Sequence, residues 1–239
     1  MNKEYVLDVP KTSKDKIKQP QIAIDGVLPK IHFSMLIVGS SKSGKSVLCY
    51  NLISKYYNNF FDMVILISPT GGNDDIQKAL ELPASRVITD MKVAEEVLQK
   101  IVDIQLESIA KNGEEATKNI LVYFDDVIGN NKFMNSPIMI DTFIKNRHYN
   151  LSCILCSQYY KAIPRRIRMQ SACDMFFNCS ETELVTIAED FEPPGITRKR
   201  FIQVLQEILK EKFQFITINK ASPWNERFRK GLAMVISFE

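Results

Sequence analysis

The stretch that most constrains this chain is Gly39-Ser40-Ser41-Lys42-Ser43-Gly44-Lys45-Ser46, which follows the phosphate-loop pattern G-x-x-x-x-G-K-S. Glycines at its first and sixth positions permit backbone conformations that a Cβ would forbid, so successive N–H groups can turn inward around an anion. The motif needs a strand before it and a helix after it. Residues 33–38 form an apolar run, and residues 47–57 have helical apolar spacing. The sequence therefore predicts a strand, a phosphate-binding loop and a helix in that order.

The residue types in this loop have distinct chemical roles. We expect Lys45 to reach the β- and γ-phosphates of a nucleotide and the Ser46 hydroxyl to ligate Mg²⁺. The helix that begins there directs the positive end of its dipole at the same phosphates. The predicted nucleotide-binding residues are Gly39, Ser40, Ser41, Lys42, Ser43, Gly44, Lys45, Ser46 and Val47.

Apolar runs alternate with amphipathic segments along the rest of the chain. Strands are expected at residues 63–68, 86–89, 119–124, 151–156, 173–179 and 213–219, and helices at 74–82, 91–110, 136–145, 181–190 and 197–212. This alternation predicts an α/β fold with a mostly parallel sheet between helical layers. We expect an N-terminal arm over residues 1–32, a core over 33–220, and a tail over 221–239 that can add an edge strand.

Bulk composition sets wider limits. The 239 residues suffice for one large domain, and the net charge of +3 permits a nucleic-acid partner without requiring one. The sequence has no 18-residue apolar run and no signal-like leader, so a soluble intracellular protein without a membrane partner is expected. The five cysteines lie mostly in apolar runs, which predicts buried, reduced thiols. Cys153 and Cys156 have C-x-x-C spacing but lack a second ligand pair for zinc.

Polar residues follow two of the predicted strands. The run at 119–124 ends in Asp125-Asp126, the acidic strand end (Walker B) that accompanies phosphate loops. We expect Asp125 to hold Mg²⁺ and its waters, and Asp126 to orient or deprotonate the attacking water. Gln158 follows the strand at 151–156, at the strand tip where ligands bind in open α/β sheets, so it can sense the γ-phosphate.

A basic cluster lies just beyond Gln158. It comprises Lys161, Arg165, Arg166 and Arg168, interleaved with Tyr159 and Tyr160. Such a cluster can contact the phosphates of a nucleic acid or of a nucleotide, or it can be a solvated helix face.

Three segments together carry a family resemblance: Gly-Ser-Ser-Lys-Ser-Gly-Lys-Ser at 39–46, Leu-Val-Tyr-Phe-Asp-Asp at 121–126, and Asn-Arg-His-Tyr-Asn-Leu-Ser-Cys-Ile-Leu-Cys-Ser-Gln at 146–158. The chain resembles the poxvirus-type genome-packaging ATPases of large DNA viruses and virophages, which belong to the FtsK/HerA superfamily. The resemblance covers residues 33–179. It implies a P-loop NTPase with a RecA-like (ASCE) core, in which an extra strand lies between those of the phosphate loop and of Asp125.

The resemblance also implies partners and roles. Such proteins bind ATP and Mg²⁺, assemble as homo-oligomeric rings of six or five subunits, and drive double-stranded DNA through a central pore toward a capsid or portal component. It implies a location in the virus factory of the host cell or in the virion. An arginine of one subunit completes the site of the next, and Arg147 is the candidate here, with Arg165 and Arg166 as competitors. Many relatives place Glu where this chain has Asp126, one methylene shorter.

Two other classes of protein remain open from the residues alone. Asp126-Val127-Ile128-Gly129 matches the D-x-x-G of GTP-binding switches, and Asn219-Lys220-Ala221-Ser222 approaches their guanine-reading N-K-x-D, with Ser222 in place of the carboxylate. A small-molecule kinase would need a lid and an acceptor pocket, and no lid can be separated from the cluster at Arg165.

Overall fold

The computed structural model describes residues 27–71 and 75–238, and within them a nine-stranded sheet carries helices on both faces. The strands are β1 Ser34–Val38, β2 Met63–Ile67, β3 Val87–Ile88, β4 Ile120–Asp125, β5 Leu151–Ser157, β6 Cys173–Phe176, β7 Ile216–Asn219, β8 Phe228–Lys230 and β9 Met234–Val235. The helices are α1 Lys45–Asn51, α2 Asp75–Ala79, α3 Met91–Asn112, α4 Asn131–Met134, α5 Pro137–Ile144, α6 Arg165–Gln170, α7 Glu181–Phe191 and α8 Arg198–Leu209. The predicted α/β fold is confirmed.

The strand order is β3-β2-β4-β5-β1-β6-β7-β8-β9. The first six strands are parallel, and β7, β8 and β9 each run antiparallel to the strand before them. The carboxyl ends of the parallel strands therefore meet at one edge of the sheet, which we call the P-loop edge because β1 ends there at Val38. We call the opposite edge the rear edge.

Strand β5 separates the strand of the phosphate loop from the strand of Asp125. In the ladder Val38 of β1 lies opposite Ser157, and Asp125 of β4 lies opposite Cys156. The insertion of β5 between β1 and β4 is the arrangement expected of an ASCE core. It brings the tips of three neighbouring strands together at the P-loop edge.

Each face of the sheet has its own hydrophobic core, because the buried strands present alternate side chains to opposite sides. One core packs Leu36 and Val122 against helices α3 to α8. The other packs Ile37 and Tyr123 against α1 and α2. Apolar burial on both faces explains why the central strands read as continuous apolar runs in the sequence.

The helix ends follow local sequence signals. Asp90 caps α3 by accepting a hydrogen bond from Lys92 N at 2.8 Å, and Ser136 caps α5 in the same way through Met139 N. Pro137 occupies the first position of α5, where its missing N–H costs nothing. Gly113 ends α3 with a φ of 85°.

The structure departs from the sequence-based elements in several places. The P-loop helix is α-helical only to Asn51 and continues as a π-helical turn, Leu52–Tyr56. The short helix α4 was not expected, α6 forms where a helix face was one of the alternatives, and β7 begins three residues later than predicted. In the tail, β8 and β9 extend the sheet. Residues 27–32 of the predicted arm contact the core, with Pro29 O accepting from the Tyr57 hydroxyl at 2.6 Å, while residues 1–26 lie outside the described residues.

Candidate nucleotide-binding site

The phosphate loop follows β1 at the P-loop edge. Some of its positions need a residue without a side chain, and others have a left-handed backbone conformation. Gly44 has a φ of 107° and Lys42 a φ of 60°. Gly39 is required by packing, since a Cβ on it would lie 2.5 Å from Phe177 Cβ. The two glycines of the motif are therefore needed for different reasons, one for conformation and one for close approach.

Backbone hydrogen bonds tie the loop to the strands on either side of β1. Gly39 N donates to Ser157 O at the end of β5, at 3.1 Å, and Ser40 N donates to Asn178 O just beyond β6, at 3.2 Å. Ser43 N donates back to Ser40 O at 3.3 Å. The loop is thus held in register with the tips of β5 and β6.

The reactive side chains of the loop lie at the start of α1. Lys45 Nζ donates hydrogen bonds to Gly39 O at 2.7 Å and to Ser40 O at 2.8 Å, which holds the ammonium over the loop. Ser46 is exposed in the first turn of α1. Ser43 Oγ is buried and has no hydrogen-bond partner among the described residues. The predicted residues, Gly39 to Val47, run from the end of β1 into the first turn of α1.

The acidic pair and Gln158 meet beside this loop. Asp125 is the last residue of β4, and Asp126 follows in a left-handed conformation with a φ of 52°. Asp126 N donates to Cys156 O at 3.2 Å, and Gln158 Nε2 donates to Asp126 Oδ2 at 3.3 Å. All three side chains are half-buried. The structure therefore brings together Lys45, Ser46, Asp125, Asp126 and Gln158 at one edge of three adjacent strands.

Oxygen donors suited to Mg²⁺ are present at this edge. A serine hydroxyl and a carboxylate are hard ligands of the kind that Mg²⁺ takes beside substrate phosphates, where one or two protein ligands suffice. Within residues 27–71 and 75–238, no group of three or more His, Cys, Asp and Glu side chains lies together as a candidate metal site. Ser46 and Asp125 supply donors of this kind, and their role as ligands of a nucleotide-bound Mg²⁺ stays a prediction.

Arg147 lies far from this constellation in its own chain. It occupies the 3-10 turn Asn146–Tyr149 that precedes β5, at the rear edge, and its side chain is exposed. Seven residues of β5 separate that turn from Gln158, a distance of about 20 Å. Arg147 therefore cannot serve the site of its own subunit, and its role in a neighbouring site stays a prediction.

The predicted basic cluster is smaller than the sequence suggested. Arg168 is buried on α6, where Nη1 donates to Asp190 Oδ2 at 2.6 Å and the guanidinium lies 4.8 Å from the Tyr160 ring centroid. Tyr160 is also fully buried, and its hydroxyl donates to the same Asp190 oxygen at 3.0 Å. The interpretation of Arg168 and Tyr160 as surface contacts was wrong, because these residues join α6 to α7. Lys161, Arg165, Arg166 and Tyr159 remain exposed.

The segment Asn219-Lys220-Ala221-Ser222, which resembles a guanine-reading motif, has a structural role at the rear edge. Asn219 ends β7 opposite Cys173, at the start of β6, and its Nδ2 donates to Val27 O at 3.1 Å. Lys220 Nζ lies 3.1 Å from Asp174 Oδ2 and donates to Ser171 Oγ at 2.6 Å. Because these residues lie at the edge opposite the phosphate loop, they cannot read a base bound there.

The cysteines are buried thiols or nearly so. Cys153 and Cys156 face opposite sides of β5, one in each hydrophobic core, so they cannot share a metal. Cys156 Sγ lies 3.1 Å from Cys49 Sγ of α1, and burial raises the pKa of Cys156 well above its usual range. Burial also raises the pKa of Cys179 to about 12. These thiols pack the core at neutral pH.

One residue near the loop could not have been found from the sequence. Phe213 was expected at the start of a strand, but it lies in the turn before β7, beside Gly44. A Cβ on Gly44 would lie 3.5 Å from Phe213 Cδ1. No local signal marks Phe213, because its position depends on the antiparallel pairing of β6 with β7.

The family model of the poxvirus A32 protein matches residues 25–226. Solved structures with the same fold include the genome packaging NTPase B204 from Sulfolobus turreted icosahedral virus 2 in complex with ATP-gammaS, at 16% identity over 86% of this chain and 98% of that one, TM-score 0.57. Its sulfate complex gives a TM-score of 0.61 at 17% identity, over 84% and 96% of the two chains. The conjugation coupling protein TcpA of pCW3 with ATPgS gives 0.55 at 13% identity, over 86% and 61%. Curated protein sequences give no match.

The strand order, the phosphate loop and the acidic strand end give this protein the fold of a P-loop NTPase with a RecA-like (ASCE) core. The chain belongs to the poxvirus A32 protein family, whose model spans most of its length. Within the two described ranges, no helix has the length and apolar character needed to cross a membrane.

Proposed function

We propose that this chain is an ATP-hydrolysing motor that moves double-stranded DNA and packages a viral genome into a capsid. The observation that carries the proposal is the contact of Gln158 with Asp126, at 3.3 Å, on the strand tips beside the phosphate loop. That contact links a residue that can sense the γ-phosphate to a carboxylate that can accept a proton from water. Membership of the A32 family and the printed function of B204 support the packaging role.

The roles of the site residues follow from their positions. Lys45 neutralises the β- and γ-phosphates, while Ser46 and Asp125 hold Mg²⁺. Asp126 orients the attacking water and accepts its proton as the bond between the γ-phosphorus and the β-γ bridging oxygen breaks. Gln158 hydrogen-bonds Asp126 and faces the γ-phosphate. Mg²⁺ supplies charge neutralisation of the phosphates when it is bound.

We further propose that the working form is a homo-oligomeric ring of six or five subunits. Arg147 is exposed at the rear edge, so it can reach only the site of a neighbour. A trans arginine couples hydrolysis to subunit geometry, because the charge of the transferred phosphoryl group is stabilised only when neighbours close up. A capsid or portal component is the proposed docking partner, and the virus factory or the virion the proposed location.

Steady-state hydrolysis of ATP and of GTP tests the proposal directly. Purified protein is assayed with and without linear double-stranded DNA, and Lys45→Ala serves as the blank. We expect turnover that prefers ATP and that DNA stimulates. Preference for GTP with no response to DNA would reject the motor and favour a GTP-binding switch, and phosphate transfer to a small molecule would favour a kinase.

A further inference from the structure

Phe213 occupies a strained position in a tight turn. Gln214 N donates to Glu211 O at 3.2 Å, which closes a four-residue turn with Phe213 as its third residue. The φ of Phe213 is 65°, the value that type II turns require at this position and that glycine adopts most easily. A bulky side chain at a left-handed position is uncommon, and such positions are enriched at functional sites.

The ring of Phe213 is presented to solvent beside the phosphate loop. Its side chain is 57% exposed. A Cβ on Gly44 would lie 3.5 Å from Phe213 Cδ1, so the ring and the last loop glycine are in van der Waals reach. The turn is held by an ion pair of Lys230 Nζ with Glu211 Oε2 at 3.0 Å, and Lys212 Nζ lies 4.9 Å from the ring centroid. The ring therefore lies against the phosphate loop on one side and is open to solvent elsewhere.

The topology places this ring on the opposite side of β1 from Asp126 and Gln158. Asp126 and Gln158 follow β4 and β5, on one side of β1, and β6 and β7 lie on its other side. Ile216, the first residue of β7, pairs with Phe176 at the end of β6, so the turn of Phe213 lies at the P-loop edge. A triphosphate whose γ end faces Gln158 directs its nucleoside away from β5, toward β6 and β7.

We propose that Phe213 is the platform on which the nucleobase stacks. This inference rests on the proposed function, because it requires a nucleoside triphosphate on the loop formed by Gly39 to Ser46. Stacking on an aromatic ring stabilises any flat base, since every base has a π face. Phe213 therefore strengthens binding of the nucleoside and leaves the choice between adenine and guanine to other contacts.

The test compares ATP with inorganic tripolyphosphate, which has the phosphates without the base. Dissociation constants are measured by calorimetry in Mg²⁺ buffer for the wild type, Phe213→Gly and Phe213→Tyr. Glycine suits the positive φ, so Phe213→Gly removes the ring without straining the turn. We expect Phe213→Gly to weaken ATP binding on the order of tenfold or more and GTP binding by a similar factor. Tripolyphosphate binding should stay unchanged, and Phe213→Tyr should bind ATP as the wild type does.

Phe60→Ala is the matched control. Phe60 is 44% exposed but precedes β2 at the rear edge, so its removal should change neither dissociation constant. If Phe213→Gly leaves ATP affinity unchanged, or lowers ATP and tripolyphosphate affinity equally, the platform is wrong while the proposed function stands. If the wild type binds neither ligand, the proposed function fails first. Thermal unfolding of each variant without ligand verifies that the fold is intact.

Discussion

Gln158 Nε2 donates a hydrogen bond to Asp126 Oδ2 across 3.3 Å, so the tips of β5 and β4 are joined by side chains as well as by the ladder. The contact orients a carboxylate whose backbone is left-handed, with a φ of 52°. It engages one of the two carboxylate oxygens of Asp126. A water between the other carboxylate oxygen and a γ-phosphate would donate a hydrogen bond to Asp126.

Removing either Asp126 or Gln158 should slow the hydrolysis of ATP and leave its binding almost unchanged. We expect Asp126→Asn to lower single-turnover ATP hydrolysis by roughly 100-fold or more, because general-base assistance is lost. Gln158→Leu, which keeps the volume and loses the hydrogen bond, should also lower turnover. The dissociation constant for ATP should change little in both variants. Wild-type turnover in Asp126→Asn would assign proton acceptance to another group, and Asp103→Asn on the exposed face of α3 is the control.

Substitution by alanine should be harmful at Gly39 and neutral at Gly129. In Gly39→Ala the new Cβ would lie 2.5 Å from Phe177 Cβ, so the loop or the core has to shift, at a cost of about 1–3 kcal/mol in the free energy of unfolding. ATP affinity should fall with it. Gly129→Ala is the matched control, since a Cβ there meets nothing within 4 Å. Loss of activity in Gly129→Ala would favour the alternative hypothesis of a GTP-binding switch, in which Gly129 ends the D-x-x-G motif.

The ion pair of Asp174 with Lys220 should matter far more than an exposed pair. Asp174 is fully buried and lies 3.1 Å from Lys220 Nζ, so Lys220→Met leaves a buried charge without its cation. We expect a loss of about 3–5 kcal/mol in the free energy of unfolding, measured with urea. Lys145→Met breaks the exposed pair with Asp141 on α5 and should change the free energy of unfolding far less, because solvent screens this pair. Equal losses in the two variants would contradict this account.

Asp174 should also make stability depend on pH. Burial raises the pKa of Asp174 above its ordinary value, against the opposing effect of Lys220. The native state therefore keeps this proton to higher pH than the unfolded state, and the free energy of unfolding falls as pH rises through that window. Asp174→Asn has no such titration, so its stability relative to the wild type should rise from pH 4 to pH 7. Urea unfolding at both pH values measures this, and a relative stability that falls would refute the assignment.

Arg147 can be tested by mixing two inactive variants. Arg147→Ala should bind ATP normally and lose about 10³-fold in the hydrolysis of the assembled protein, because a trans arginine is missing. Lys45→Ala should fail because its own loop is impaired. If each site combines the loop of one subunit with Arg147 of the next, the mixture should recover part of the activity. If the mixture recovers no activity and Arg147→Ala alone hydrolyses ATP normally, Arg147 is not the trans arginine. Arg165 and Arg166 are then the candidates.

Local patterns were sufficient for the residues that depend on one short segment. The loop at Gly39 to Ser46 and the strand that leads to Asp125 follow rules that operate within a few positions, and the structure has both as expected. The contacts that a side chain makes with residues far away in the sequence could not be predicted from local patterns. Arg168 reads as a surface cation until α7 brings Asp190 to within 2.6 Å, and Phe213 gains its neighbour only when β7 folds back along β6.

Because Gly39 packs against Phe177, the presence of this glycine in another chain of the family does not by itself indicate that the chain hydrolyses ATP. Gly39 is demanded by the interior of the protein, so a descendant that had lost catalysis would still have to keep it to fold well. Lys45 and Gln158 fill no such space, since their side chains are only partly buried and pack no core. Their loss would be tolerated by the fold, and so their retention is the better sign of a working enzyme.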